Sequence, residues 1–416
     1  MSDQSTFHID RLGRDGDGVA ETPSGPVFVP NALPGETFIA AADGSYLRTR
    51  DPSPQRIAPP CPHFEVCGGC AAQHMAPDIY RAWKSDLIVS AFRTQKIEIT
   101  QTPLFVVPAH SRRRATLTAH VTGATVRLGY HARRSHTLID LNACPVLATP
   151  IVAALPALRE VARLLAAGAG GPRKPVELRI TVAALTGGLD VSVEGTGTPP
   201  DMQAAAGLAR VARSAGLTRL TVEGLTVCAE RDPQLVTEAG AIIPPPGAFF
   251  QAVAEAETHL TALVLAGLGK SKRVADLFCG SGTFTLPIAR LARVLAIDSD
   301  KAALAALQQA TRFATGLKPI EARLRDLFGE PLSAMELSEI DAVVLDPPRA
   351  GAKAQCEAIA RSKVKTVVAV SCNPATLARD CRTLLDAGFS MGEVAGVDQF
   401  LWSPHVEAVV TLVRRR

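Results

Sequence analysis

The sequence predicts an α/β protein: a doubly wound, mostly parallel sheet over residues 246–416, preceded by a small β-barrel (1–52) and a central α+β region (53–245). Three observations carry this expectation. Beyond residue 246 the short apolar runs VADLF, VLAID, IDAVVLD and KTVVAVSC are each followed by a helical segment, the alternation of parallel strands with crossover helices. Before residue 50, FHIDRLG, DGDGVAE, GPVFVP and GETFIAA alternate with period two between Gly, Asp and Pro punctuation. Between these blocks RDPSPQRIAPP (50–60) carries four prolines, which suit a linker and neither helix nor strand.

The central region opens on a Cys-rich knot (61–70) and a helix near 78–94, within a 76–99 stretch expected to pack on the C-terminal domain. It continues as the β-like runs ATLTAHV, VELRITVAAL, LDVSVEG and LTRLTVEGL, with an Ala/Leu helix near 151–167. EAVVTLVRR adds a final strand. At 416 residues, 47% hydrophobic and 20% charged, the chain can bury a core in each of two or three domains. No apolar run approaches the roughly 20 residues that span a bilayer, and MSDQSTFHID lacks a signal-peptide pattern. A cytoplasmic protein without membrane contact is expected, and nothing demands more than a monomer. Its nine cysteines are then thiols, ligands or catalysts rather than disulfides. Net charge is only +4, but SRRRATLTAH (111–120), RLGYHARRSHT (127–137) and VRRR (413–416) concentrate it. Such clusters either neutralise phosphates or form solvated strand faces and a basic tail.

Chemistry gathers at strand ends. VADLFCGSGTFTLPIA (274–289) runs a strand into a Gly-rich turn and a helix, bringing backbone amides close to a ligand. It lacks the third glycine of a dinucleotide fingerprint. Asp298 ends the next strand, eighteen residues past Gly280, where it can bond ribose hydroxyls or cap a helix. Asp346 ends another, in LDPPRAG, at the carboxyl edge where ligands bind such sheets. Cys372 ends VVAVSC. Asn373 is a good N-cap and Pro374 suits the first helical turn, so a helix starts right after the sulfur and is expected to favour thiolate. That makes Cys372 a candidate nucleophile, while Cys228, Cys279, Cys356 and Cys381 read as structural. His405 and Glu407 lie just before the last strand, and Glu407 is the candidate general base. Cys61, Cys67, Cys70 and the distant Cys144 can hold tetrahedral zinc or an iron–sulfur cluster.

GDGVAETPSGPVFVPNALPGE, CPHFEVCGGCAAQHM, RRRA, ACPVL, GAFFQ, DLFCGSGTFTLP, DPPRAG, SCNPATLARD and the H-V-E ending together resemble the RNA uracil-5-methyltransferase family, in particular its 23S ribosomal RNA branch, over almost the whole chain. The resemblance implies a Rossmann-like class I methyltransferase domain, a TRAM-like (OB-like) N-terminal barrel and a central iron–sulfur domain. It implies S-adenosylmethionine as methyl donor, with Gln251, Phe278, Thr283, Asp298, Asp326 and Asp346 lining its site. It makes Cys372 the nucleophile and Glu407 the base, gives Cys61, Cys67, Cys70 and Cys144 to a [4Fe–4S] cluster in preference to zinc, and points to 23S rRNA as partner.

The chemistry is coherent. Carbon 5 of uracil is too weak a nucleophile to take a sulfonium methyl unaided, so sulfur adds at carbon 6 first. The chain departs from the family pattern at Ala252 and Val253 after FFQ, at Thr283 where Asn is common, and at Phe400-Leu401 and Ser403-Pro404. Four other readings stand beside the main one: a tRNA uridine-5 methyltransferase, an adenine-N6 methyltransferase using Asp-Pro-Pro, a nicotinamide oxidoreductase with an iron–sulfur centre, and a non-catalytic RNA-binding assembly factor.

Overall fold

The computed structural model describes residues 6–41, 45–49, 52–169 and 175–414. Arg50 and Asp51 of the Pro-rich interval and the terminal Arg415 and Arg416 lie outside them.

The C-terminal half is built on an eight-stranded sheet. Its order is Ile320–Leu324, Arg293–Asp298, Arg273–Leu277, Ala342–Leu345, Thr366–Ser371, Glu407–Arg414, Phe389–Asp398 and Phe105–Val106. The first five strands are mutually parallel, and Glu407–Arg414 runs antiparallel to both its neighbours. Their side chains alternate between two cores with period two. Val274, Val344, Val368, Val370 and Val409 face Leu260, Val264 and Leu268 of helix Ala254–Leu268. Ala275, Val343, Leu345, Val367 and Val410 face the opposite layer, with Ile359, Leu377 and Leu384. The strand order reverses beside Arg273–Leu277, which opens a crevice at the carboxyl ends of the central strands.

Three strands of this sheet were not legible in the sequence, the edge strand Ile320–Leu324 among them. Phe389–Asp398 (FSMGEVAGVD) carries two glycines and exposed polar residues that hide its periodicity. The short Phe105–Val106 pairs with it in parallel, so the chain before residue 107 closes the edge of the C-terminal sheet. Helix Pro77–Thr94 lies alongside. It buries Tyr80, Trp83, Lys84, Ile88 and Phe92, one helical stripe in which a lysine occupies an apolar position.

The central region forms a seven-stranded sheet, antiparallel except where Gly188–Glu194 meets Leu217–Val222 through the crossover helix Met202–Ser214. Helices Leu155–Ala169 and Met202–Ser214 cover its core. The first fifty residues give two three-stranded antiparallel sheets around Ile9, Ala20, Val29, Ala32 and Phe38, where the periodicity suggested one barrel.

The basic clusters resolve largely as internal fastenings. Arg113 bonds the Gln251 carbonyl and, at 2.7 Å, the buried Glu257; Arg114 bonds the carbonyls of Gly247 and Ala248. Arg133 grips Asp17 of the N-terminal sheets, and Arg414 bonds the carbonyls of Val364 and Ala387. These guanidinium groups serve docking between segments before they can serve phosphates.

Removing one of them has a calculable effect. Arg113→Met leaves the Glu257 carboxylate buried without its cation and is expected to cost about 3 kcal/mol of unfolding free energy. Arg11→Met breaks a pair with Glu21 whose side chains are both about half exposed, and should cost under about 1 kcal/mol. Urea unfolding midpoints measure the difference; equal losses would contradict it.

Candidate active site

Cys372 follows strand Thr366–Ser371 and precedes helix Pro374–Asp386. Asn373 caps that helix as its type demands, accepting the Ala375 amide at 3.2 Å, while its Nδ2 donates to the Arg349 carbonyl. The DPPRAG loop is thereby fixed against the nucleophile, and Arg349 stands at the mouth of the site. The half-buried sulfur lines a cavity of about 380 Å³ whose walls include Arg14, Trp83, Arg349, Asn373 and His405.

The expectation of a thiolate favoured by the helix start is corrected here. Burial first, then the charges of Glu407 and Asp346, push the Cys372 thiol up to about 11; Arg349 opposes them without prevailing. The resting cleft therefore holds a thiol.

Glu407 begins strand Glu407–Arg414 and is 4% exposed. Burial raises its carboxyl to about 7, against the lowering effects of its bond from Gln399 and the charge of Arg349. Its Oε2 is buried without a partner. An acid with an unpaired oxygen and an affinity for protons near neutrality suits a general base. His405, beside it, is pushed down to about 4 by burial and by Arg349, Lys84 and Arg14.

A chain of side chains ties this base to the sheet edge. Gln399 Nε2 donates to Glu407 Oε1 at 2.9 Å and to Gln251 Oε1 at 2.6 Å; Gln251 Nε2 donates to Asp346 Oδ2 at 3.2 Å. Burial, then the neighbouring Glu407 and Asp276, hold Asp346 well above the carboxylate range. Gln251 and Asp346 are thus tied through Gln399 to Glu407. Gln399 was missed in the sequence, where VDQF gives no pattern to mark it.

The donor side is built on the glycine turn. Gly282 has φ +98° and a Cβ there would meet Leu307 Cδ1 at 2.5 Å, so only glycine fits. Gly280 donates its amide to Asp298 Oδ2 at 2.8 Å. The capping alternative for Asp298 is excluded: Asp300 caps helix Lys301–Phe313, and Asp298 accepts the Asp300 amide instead. Phe278 takes a left-handed φ of 63°, a strained conformation of the kind found at ligand sites. Its ring lies 5.4 Å from that of Phe328, whose amide bonds Asp326. Thr283 is half-buried in the turn. Asp276 Oδ1 and Ser281 Oγ are buried without partners, polar atoms for which a bound ligand supplies the missing bonds.

Cys61, Cys67, Cys70 and Cys144 line a second cavity of about 340 Å³ with Phe64 and Tyr130. Burial raises Cys67 and Cys144 and takes Cys70 up to about 12, and the charges of the other cysteines add to each shift. Among the described residues no set of three or more His, Cys, Asp or Glu side chains is placed to hold a single metal ion. Arg349 and His405 line both cavities. Cys228, Cys279, Cys356 and Cys381 are buried away from either. No helix among the described residues is long and apolar enough to cross a membrane.

Residues 323–415 match the family model described as tRNA (uracil-5-)-methyltransferase. The chain is 45% identical to an RNA methyltransferase of Brucella suis biovar 1, covering 98% of this chain and 97% of that one. It is 32% identical to the 23S rRNA (uracil(1939)-C(5))-methyltransferase of Pectobacterium atrosepticum, over 97% of this chain and 92% of the relative. The crystal structure of the Pyrococcus abyssi tRNA (uracil-54, C5)-methyltransferase with S-adenosyl-L-homocysteine has the same fold, at TM-score 0.73 and 21% identity, covering 98% and 100% of the two chains.

The raised Glu407 carboxyl fixes a sign. Its folded-state affinity for protons exceeds the unfolded one, so its contribution is fully present below pH 4.5 and is lost as pH rises through about 7. Glu407→Gln keeps an acceptor for Gln399 and removes that loss. Its thermal midpoint should exceed the parent's by a few degrees at pH 8 and equal it near pH 4.5; a difference independent of pH would contradict the assignment.

Proposed function

The chain belongs to the RNA (uracil-5-)-methyltransferase family, and on that premise we propose that it methylates carbon 5 of a uridine in 23S rRNA, with S-adenosylmethionine as donor. The single observation that carries the mechanism is a buried Glu407 with an unpaired oxygen, near enough to Cys372 for its charge to raise that thiol. The three parts divide as an N-terminal β unit (1–52) and a central region (53–245), both contacting RNA, and the methyl-transfer domain (246–416).

When bound, the donor supplies a methyl group on a sulfonium centre; Gln251, Phe278, Thr283, Asp298, Asp326 and Asp346 would hold it. Cys372 gives its proton to water in the cavity at Arg349 and bonds uracil carbon 6 as thiolate, the ring's electron pair moving onto the carbon 4 carbonyl as an enolate. The enolate pair returns through carbon 5 to the methyl group, whose bond to the donor's sulfur breaks and leaves its electron pair there. Glu407 takes the proton of carbon 5, the C–H pair re-forms the ring double bond, and the carbon–sulfur bond breaks to release thiolate. Arg349 supplies the positive charge that offsets thiolate and enolate. A uridine must leave its stack to enter, so a loop or bulge is the expected target.

The four cysteines would hold a [4Fe–4S] cluster. They line one cavity, and iron would replace the protons that burial first, and then the charges of the other cysteines, retains. With four thiolate ligands its role is structural.

A tRNA substrate is the second reading, favoured by the description of the model matching residues 323–415. Mapping 5-methyluridine in ribosomal and transfer RNA from cells with and without the gene decides between them. In vitro, RNA carrying 5-fluorouridine should trap a stable protein adduct, because fluorine at carbon 5 cannot leave as a proton. Cys372→Ala should form none and lose methylation by at least about 10⁴-fold. Normal 5-methyluridine production by that variant would end the mechanism.

A further inference from the structure

Lys84 is 0% exposed, and nothing in the chemistry above uses it. Its stem completes the apolar stripe of helix Pro77–Thr94, and its ammonium leaves the helix to meet three acceptors. These are Asp398 Oδ1 at 2.6 Å, the Phe400 carbonyl at 3.2 Å and the His405 carbonyl. All three belong to the segment between strand Phe389–Asp398 and strand Glu407–Arg414, the segment that carries Gln399 and delivers Glu407. Tyr80, one turn earlier, donates its hydroxyl to the other Asp398 oxygen and accepts the Trp402 amide at 2.8 Å. Ala71 and Ala72, next to Cys70, donate their amides to the Trp402 carbonyl at 2.7 and 3.1 Å.

A lysine hidden on a helix face is costly unless its charge is matched and its protons are all used. Here they are used, and every partner lies on a single eight-residue stretch. A buried ammonium needs three acceptors on any account; here Asp398, Phe400 and His405 supply all of them from one stretch of chain. Three bonds at both ends of the segment fix its path, and with it the distance between Gln399 and Glu407.

We propose that Lys84, with Tyr80 and Asp398, is a positioning residue for the base: the buried grip holds residues 399–406 so that Gln399 sets Glu407 against carbon 5. The proposal rests on the reading of Glu407 as the base. It locates the effect of the grip in one step, the removal of the carbon 5 proton that releases the product, and not in donor binding or in addition of Cys372.

The test uses the full-length enzyme, a uridine-containing RNA substrate and S-adenosylmethionine, following the covalent methylated protein–RNA adduct on denaturing gels with mass identification. Lys84→Met and Tyr80→Phe should each accumulate that adduct, with release slowed at least about tenfold. Donor KM and RNA affinity should stay within about twofold of the parent. Tyr80→Phe keeps the ring and removes one hydroxyl, so its release rate is decisive if Lys84→Met does not fold. Glu407→Gln is run in parallel and should stall at the same adduct. A stalled Glu407→Gln beside freely releasing Tyr80→Phe and Lys84→Met overturns the proposal and leaves the base in place. So does a proportional fall of RNA binding, adduct formation and release, which marks a general folding defect. A freely releasing Glu407→Gln overturns the base assignment itself, and the proposal with it.

Discussion

The run of side chains from Asp346 through Gln251 and Gln399 to Glu407 is the constraint on which the site depends. It joins three segments that are far apart in the chain, around residues 251, 346 and 399–407, and each amide satisfies a group that burial would otherwise leave unpaired. Burial is what raises both carboxyls, with Glu407 adding to the shift of Asp346, and burial first, then these two charges, pushes up the neighbouring Cys372 thiol. Arg349, exposed at the rim, is the one nearby cation that eases this field for both Cys372 and Glu407.

Much of this was legible because the parallel sheet writes itself into the sequence. Short apolar runs ending in Gly, Asp or Cys mark strand carboxyl ends, and the ends of a doubly wound sheet are where ligands collect. Cys372, Asp346 and Asp298 were found in that way. What stayed hidden depends on contacts between distant segments. Gln399 has no local signature, since its meaning comes from two partners at positions 251 and 407. Strand Phe389–Asp398 was masked by glycines that let it pair closely with both neighbours. Lys84 did leave a trace, a charged residue inside an otherwise apolar helical stripe, but only the fold tells what it answers.

Charge on the surface misleads in the opposite sense. RRRA at 112–115 looks like a phosphate-binding patch, yet Arg113 and Arg114 are spent on the backbone of residues 247–251 and on Glu257. Arg112 lies over the Phe400 ring and Arg114 over that of the exposed Phe249. Arginine's planar fork suits such fastening, because one side chain can bond two carbonyls and stack on a ring. The cations left at the cleft are few, Arg14 and Arg349 among them, and they sit on different segments that approach only when the chain is folded.

The pairing of Phe105–Val106 with Phe389–Asp398 bears on how the molecule is made. The first partner leaves the ribosome about 290 residues ahead of the second, an interval of roughly 15 to 60 s at ordinary rates of translation. During that time Ile88 and Phe92 of helix Pro77–Thr94 lack the C-terminal layer that buries them, and Lys84 lacks Asp398. A C-terminal half made without the earlier segment would in turn present an open strand edge, the kind that templates aggregation. Synthesis order and assembly of the site are thus coupled: Glu407 takes its place only after strand Glu407–Arg414 has been translated and has found the part of the chain that was waiting for it.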